Sequence, residues 1–168
     1  MAEVKVTKDL ENKTLTIEIV VNAPKEKVWQ AYTDKAQFEK WWGPEGWNTT
    51  VKEFSVTPGG KVHYGMKCVD EAQGEWFGQT SWGLMDIQAV DENSSFTYKD
   101  YFSDEAGTFN TELPVLTITN EFVEEDGKTR IVSRSVADSA EQIEELIKMG
   151  MLEGFKSQLT KLDMLLAA

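Results

Sequence analysis

A carboxylate carried on a β-strand among aromatic residues becomes an acid or a base once it leaves water, because burial favours its neutral form. Two such groups occur here, Asp100 within SFTYKDYF (95–102) and Glu121 within VLTITNEFV (115–123). The expected place for both is an exposed strand edge, and no tight acid–base pair is evident. A cyclase- or hydrolase-type enzyme would need an inward polar group such as Tyr64, Tyr98, Asp100 or Arg134. Arg130 and Arg134 share one face of a strand-like run. An inward arginine would clamp a carboxylate; an outward one, the expected case, pairs with surface acids. His63 alternates with Tyr64, so it points away from whatever Tyr64 faces, and it is expected at the surface. With one histidine and one cysteine, Cys68, neither a disulfide framework nor a Cys/His metal cage forms within one chain. No catalytic residue, metal or cofactor is assigned.

Aromatic side chains carry the stronger signal. Trp41, Trp42 and Trp47 flank the loop Gly43-Pro44-Glu45-Gly46. A tryptophan offers an apolar body with one donor, which suits either a plugged core end or a pocket wall. By strand alternation Tyr64 and Met66 point inward from one strand, and Phe54 and Val56 from the strand before it. Phe96 and Tyr98 are candidates on the next hairpin, and Met151 and Phe155 on the last helical segment. Trp41, Trp42, Trp47, Phe54, Tyr64, Met66, Phe96, Tyr98, Met151 and Phe155 are therefore the candidate ligand-pocket residues. Ordinary core burial accounts for most of them, and a subset faces whatever cavity exists.

The elements that must position these residues follow from periodicity. TLTIEIVV (14–21) alternates and is β-branched, as a strand is. Pro24 opens a short helix, KEKVWQAYT, and KAQFEKWW forms a second that ends at Gly43-Pro44. WNTTVKEFSV (47–56), KVHYGMKCV (61–69), EWFGQTSWGLMDIQAV (75–90), SFTYKDYF, VLTITNEFV and KTRIVSRSV (128–136) read as an antiparallel meander. The connection 103–114 is long and polar enough to be mobile. Ser139 with Gln142 is a capping box. From there to Leu166 the pattern predicts one amphipathic helix of about 28 residues, roughly 40 Å. It covers the apolar face of the sheet, which twists and coils around it.

Gly150 and Gly154 lie on or near the apolar stripe of that helix. Each costs about 1 kcal/mol relative to alanine. Close approach of helix to sheet is the expected reason, and room for a ligand is the other. An empty cavity of about 300 Å³ would cost on the order of 7 kcal/mol, so a protein keeps one mainly when something fills it.

The 168 residues make one domain, with a core over about 14–166. The 29 acidic against 17 basic residues give a formal net charge of −12. That excess excludes nucleic acid and an anionic membrane surface as partners. No signal-like segment or long apolar run is present, and a lone thiol suits a cytoplasmic protein.

The runs AsnAlaPro-x₃-ValTrp-x-AlaTyrThrAsp (22–34), PheGluLysTrpTrpGlyPro (38–44) and PheSerValThrProGlyGly (54–60) resemble the activator of heat-shock protein 90 ATPase homologue-like family. Gly127-x-Thr129-Arg130 and Gly150-x₃-Gly154-Phe155 with Leu159 and Leu162 agree. That family belongs to the START-like superfamily, also called SRPBCC or the polyketide-cyclase/Bet v-type superfamily. The resemblance implies an α+β helix-grip fold, a curved antiparallel sheet gripping a long C-terminal helix around an internal cavity. It implies non-enzymatic binding of a hydrophobic or aromatic small molecule, with a chaperone-associated, stress-response interaction module or a cyclase-type enzyme as alternatives. Expected partners are an apolar small molecule and, through an exposed apolar patch, a chaperone or a second copy of the chain.

Overall fold

The computed structural model describes residues 3–167. The strands are β1 (Lys5–Asp9), β2 (Thr14–Val21), β3 (Trp47–Phe54), β4 (Lys61–Cys68), β5 (Thr80–Asp91), β6 (Ser95–Ser103), β7 (Phe109–Asn110), β8 (Leu116–Glu125) and β9 (Lys128–Val136). The helices are α1 (Lys25–Thr33), α2 (Lys35–Trp41), α3 (Ala140–Lys148) and α4 (Met151–Ala167). The strands form one antiparallel sheet in the order β1-β2-β9-β8-β6-β5-β4-β3, with β7 paired to β6. This is the α+β helix-grip architecture. Among the described residues, no helix is long and apolar enough to cross a membrane.

Alternation builds the inner face. Leu15, Ile17, Ile19 and Val21 of β2 are buried, as are Leu116, Ile118 and Phe122 of β8. Register shifts between Val51 and Glu53 and between Ile87 and Ala89 insert bulges into β3 and β5. Bulges increase local twist and bend the strand, so the sheet curves toward the helices. The apolar cluster under that curve joins sheet, α1, α2 and the C-terminal helices through Val28, Phe38, Trp41, Ile143 and Leu162.

Three expectations need correction. First, an edge strand, β1, precedes TLTIEIVV and pairs with it from Lys5↔Glu18 to Asp9↔Thr14. Second, residues 75–79 are not strand. A 3₁₀ turn covers Glu71–Trp76, and β5 starts at Thr80. Third, the C-terminal rod is two helices. Ser139 Oγ accepts the Gln142 amide at 3.2 Å while Gln142 Oε1 accepts the Asp138 amide at 3.0 Å, so α3 starts on the expected box. It stops nine residues later. Gly150 adopts φ +92° and its amide bonds the Ile147 carbonyl at 3.0 Å. That is a left-handed helix stop, which glycine takes without the Cβ penalty.

The two glycines therefore differ in kind. A Cβ built at either one meets nothing within 4 Å, so neither marks the close helix–sheet approach expected for them. Gly154 is helical and unhindered, so Gly154→Ala is expected to stabilise by about 1 kcal/mol. Gly150→Ala would place a Cβ in the left-handed region and is expected to destabilise by about 1 kcal/mol. Urea denaturation of both variants checks the opposite signs.

Candidate functional site

The break between α3 and α4 lies over the β4–β5–β6 part of the sheet and leaves a pocket of about 260 Å³. Trp42 and Pro44 of the α2–β3 loop, Tyr64 and Met66 of β4, Asp100 and Phe102 of β6, and Leu116 of β8 form one side. Leu146, Met149, Gly150, Met151, Gly154, Phe155 and Gln158 form the other. Met149 and Gly150 are exposed and mark the mouth. A dry void of this size would cost on the order of 6 kcal/mol. A groove of about 450 Å³ lies outside α3, lined by Leu10, Ala140, Glu141, Glu144, Glu145 and Lys148, but it is shallow and open to solvent.

α4 fixes the rim. Gln158 Oε1 accepts the Gly43 amide at 2.8 Å and Ser157 Oγ accepts the Glu45 amide at 2.8 Å. Lys161 Nζ donates to the Gly43 carbonyl at 3.1 Å. Three side chains of one helix thus hold the loop that carries Trp42.

Glycine and aromatic residues face each other across β4 and β5. Tyr64 pairs with Gly83 and Gly65 with Trp82. A Cβ on Gly83 would come within 2.4 Å of the Tyr64 ring, and one on Gly65 within 2.6 Å of Trp82. Each glycine thus makes the space in which its partner's ring lies flat on the sheet. On the inner face this lets the Tyr64 hydroxyl cross β5 and donate to Asp100 Oδ1 at 3.2 Å.

Asp100 overturns its expected exposed placement. It shares parity with the buried Phe96 and Tyr98 on β6 and therefore points into the pocket. Burial raises its carboxyl from 3.8 to about 7, against the lowering effect of the Tyr64 hydrogen bond. Burial also pushes the Tyr64 phenol up, with the Asp100 charge adding to it. At neutral pH the pair is a phenol donor beside a carboxyl poised between its two forms. Such a carboxyl gives or takes a proton readily, and it also binds a cation when ionised.

Five of the ten candidate pocket residues, Trp42, Tyr64, Met66, Met151 and Phe155, meet at this pocket. Tyr98 and Phe155 share a separate void of about 20 Å³ with Asn120 and Gln158, room for one water. Trp41 lies in the core, with its Nε1 donating to the Ala31 carbonyl at 2.8 Å. Phe96 packs edge-on against Trp29 and Tyr32, both at 5.9 Å between centroids. Phe54 packs on Phe38 at 5.4 Å. Trp47 stands at the end of β3 opposite Cys68, off the pocket.

His63 does face away from Tyr64, but it is buried, which corrects its surface placement. Its Nε2 bonds the Asp104 carbonyl at 2.9 Å and its ring lies 5.2 Å from that of Trp82. The start of the 103–114 connection is thereby tied to the outer face, whereas Pro114 at its end reaches the pocket. Arg134 pairs outward with Glu121, and Arg130 with Glu125 at 3.3 Å and Glu18 at 3.6 Å. Sequence reasoning does not single out Phe102, Leu116, Leu146, Met149 or Gln158. For the polar group, the parity of Asp100 with Phe96 and Tyr98 is the available signal.

The family model described as activator of Hsp90 ATPase homolog 1-like protein matches residues 22–167. The chain is similar to the crystal structure of protein Ms6760 from Mycobacterium smegmatis, with 39% identity, 98% of this chain and 97% of that one covered, and a TM-score of 0.87. A solution structure from Arthrobacter aurescens is 29% identical over 97% and 91% of the two chains, also at a TM-score of 0.87. The AHSA1 protein of Silicibacter pomeroyi, 21% identical over 92% and 97%, shares the fold at a TM-score of 0.70. No curated protein matches the chain.

Proposed function

Since the chain belongs to the activator of Hsp90 ATPase homolog 1-like family, we propose that it is a non-enzymatic receptor for a hydrophobic or aromatic small molecule. One observation carries this reading. The fold gives up a helical turn at Gly150, and side-chain volume at Gly154, beside an apolar pocket of about 260 Å³. A chain selected for stability alone would fill that space, because each buried methylene adds about 0.8 kcal/mol. Trp42, Tyr64, Met66, Met151 and Phe155 are the proposed contacts. The methionines suit an irregular ligand, since their side chains adapt at little cost.

N-phenyl-1-naphthylamine, an uncharged apolar fluorophore, tests the reading. Its emission is expected to rise and saturate at one equivalent, and a compact apolar molecule is expected to displace it. A protein that leaves the probe in water at every concentration contradicts the proposal.

A second reading, docking to a protein partner, is favoured by Val69, Trp76 and Phe77. These three are 46%, 54% and 47% exposed around the β4–β5 connection. Clustered exposed aromatics mark interaction sites. Stimulation of a chaperone ATPase by the purified chain separates this reading from the first.

A further inference from the structure

We infer that Asp100 makes the pocket selective for hydrophobic amines, molecules whose apolar body occupies the pocket and whose protonated nitrogen pairs with the Asp100 carboxylate. The inference rests on the pocket's being a binding site, and it adds the chemistry of the occupant.

Charge decides the class. Among the described residues that line the pocket, Asp100 is the one acid, and no Lys, Arg or His is present. Lys161, on the adjoining turn of α4, is engaged with the Gly43 carbonyl. A fatty acid or other organic anion would therefore meet a carboxylate with no cation to offset it. Like charges at close range in a poorly solvated site repel strongly. An ammonium would meet the opposite charge in the same setting, where a charge-assisted hydrogen bond is strongest. Asp100 also has capacity to spare. Oδ1 accepts from Tyr64 at 3.2 Å, and Oδ2 takes no hydrogen bond among the described residues. Trp42, Tyr64 and Phe155 contribute aromatic rings to the same pocket, and aromatic faces attract cations. The chain's net charge of −12 works in the same direction at long range.

Groups that pack toward Asp100 do not blur this reading between pH 5 and 8. β4 and its own strand present Tyr64 and Tyr98, whose phenols burial pushes up and keeps neutral. α4 presents Gln158, while β5, β8 and α3 present Met85, Leu116 and Leu146. Only Asp100 changes charge there, becoming a carboxylate above about 7.

Three molecules of one shape test the inference by competition with N-phenyl-1-naphthylamine at pH 8: 4-phenylbutylamine, 4-phenylbutan-1-ol and 4-phenylbutanoate. The expected order is amine, then alcohol, then acid, with about tenfold or more between amine and acid. Asp100→Asn is expected to bring the amine to the level of the alcohol, and so is lowering the pH to 5. Binding of the alcohol with no preference for the amine overturns the inference and leaves the receptor reading standing. An amine preference that survives Asp100→Asn also overturns it. Failure of all three to displace a bound probe overturns the inference alone, and failure of the probe itself to bind overturns the receptor reading with it.

Discussion

Asp100→Asn is expected to stabilise the protein at pH 8 and to leave its stability almost unchanged at pH 4. Burial lifts the carboxyl from 3.8 to about 7 in the folded state. A carboxyl raised on folding contributes fully below its unfolded value, where both states hold the proton. Its contribution is lost as pH rises, because the unfolded chain releases the proton first, and the loss is complete above the folded value. The window is therefore about pH 4 to 7. Keeping the ionised carboxylate buried at pH 8 costs about 4 kcal/mol, less where water in the pocket reaches it. A neutral amide carries no such penalty. At about 2–4 °C per kcal/mol for a chain of this size, the variant's Tm advantage at pH 8 is expected to approach 10 °C. Subtracting the wild-type Tm at each pH removes the contribution of the other acids. A difference that stays constant from pH 4 to pH 8 would mean that Asp100 is not a buried, titrating group.

Gly154→Phe is expected to abolish uptake of apolar molecules while preserving the fold. Gly154 lies within α4 and a Cβ there has open space around it, so a phenyl ring enters the pocket without displacing backbone. Phenylalanine is also the better helix former by a few tenths of a kcal/mol. N-phenyl-1-naphthylamine affinity is expected to fall by about 100-fold or more, with the far-ultraviolet circular dichroism spectrum and the urea midpoint held or raised. Undiminished probe binding by a well-folded Gly154→Phe would place the binding surface elsewhere.

The sheet is readable in the sequence because its strands alternate. TLTIEIVV and VLTITNEFV place one residue in two on the buried face, and the structure keeps both registers. β1 escapes such a reading because KVTKD has a single apolar residue to bury, so pairing with β2 sets its conformation more than its own side chains do. The helix break escapes it for the opposite reason. Ile143, Ile147, Met151 and Phe155 continue one apolar stripe across Gly150, and periodicity does not register a left-handed residue in its midst. Type and spacing identify which side chains are apolar and inward. They do not separate Trp41, Phe54 and Phe96, which pack against protein, from Trp42, Met66 and Phe155, which border space. That division depends on two bulges and one glycine φ angle, and neither leaves a hydrophobic period. Asp100 is within reach, since it continues the parity of Phe96 and Tyr98, but a carboxylate in a strand is exposed far more often than it is buried.

The methionine methyl groups offer the most direct test of the pocket. Met66, Met149 and Met151 line it, whereas Met164 is 63% exposed on α4 and takes no part. Titrating N-phenyl-1-naphthylamine into protein labelled with ¹³C at the methionine methyls is expected to shift the Met66, Met149 and Met151 resonances together. Cross-relaxation to the ligand's ring protons is expected at the same three. Met164 should stay fixed. Shifts centred on Met164, or none at any methyl under saturating ligand, would contradict a receptor built between the C-terminal helices and the sheet.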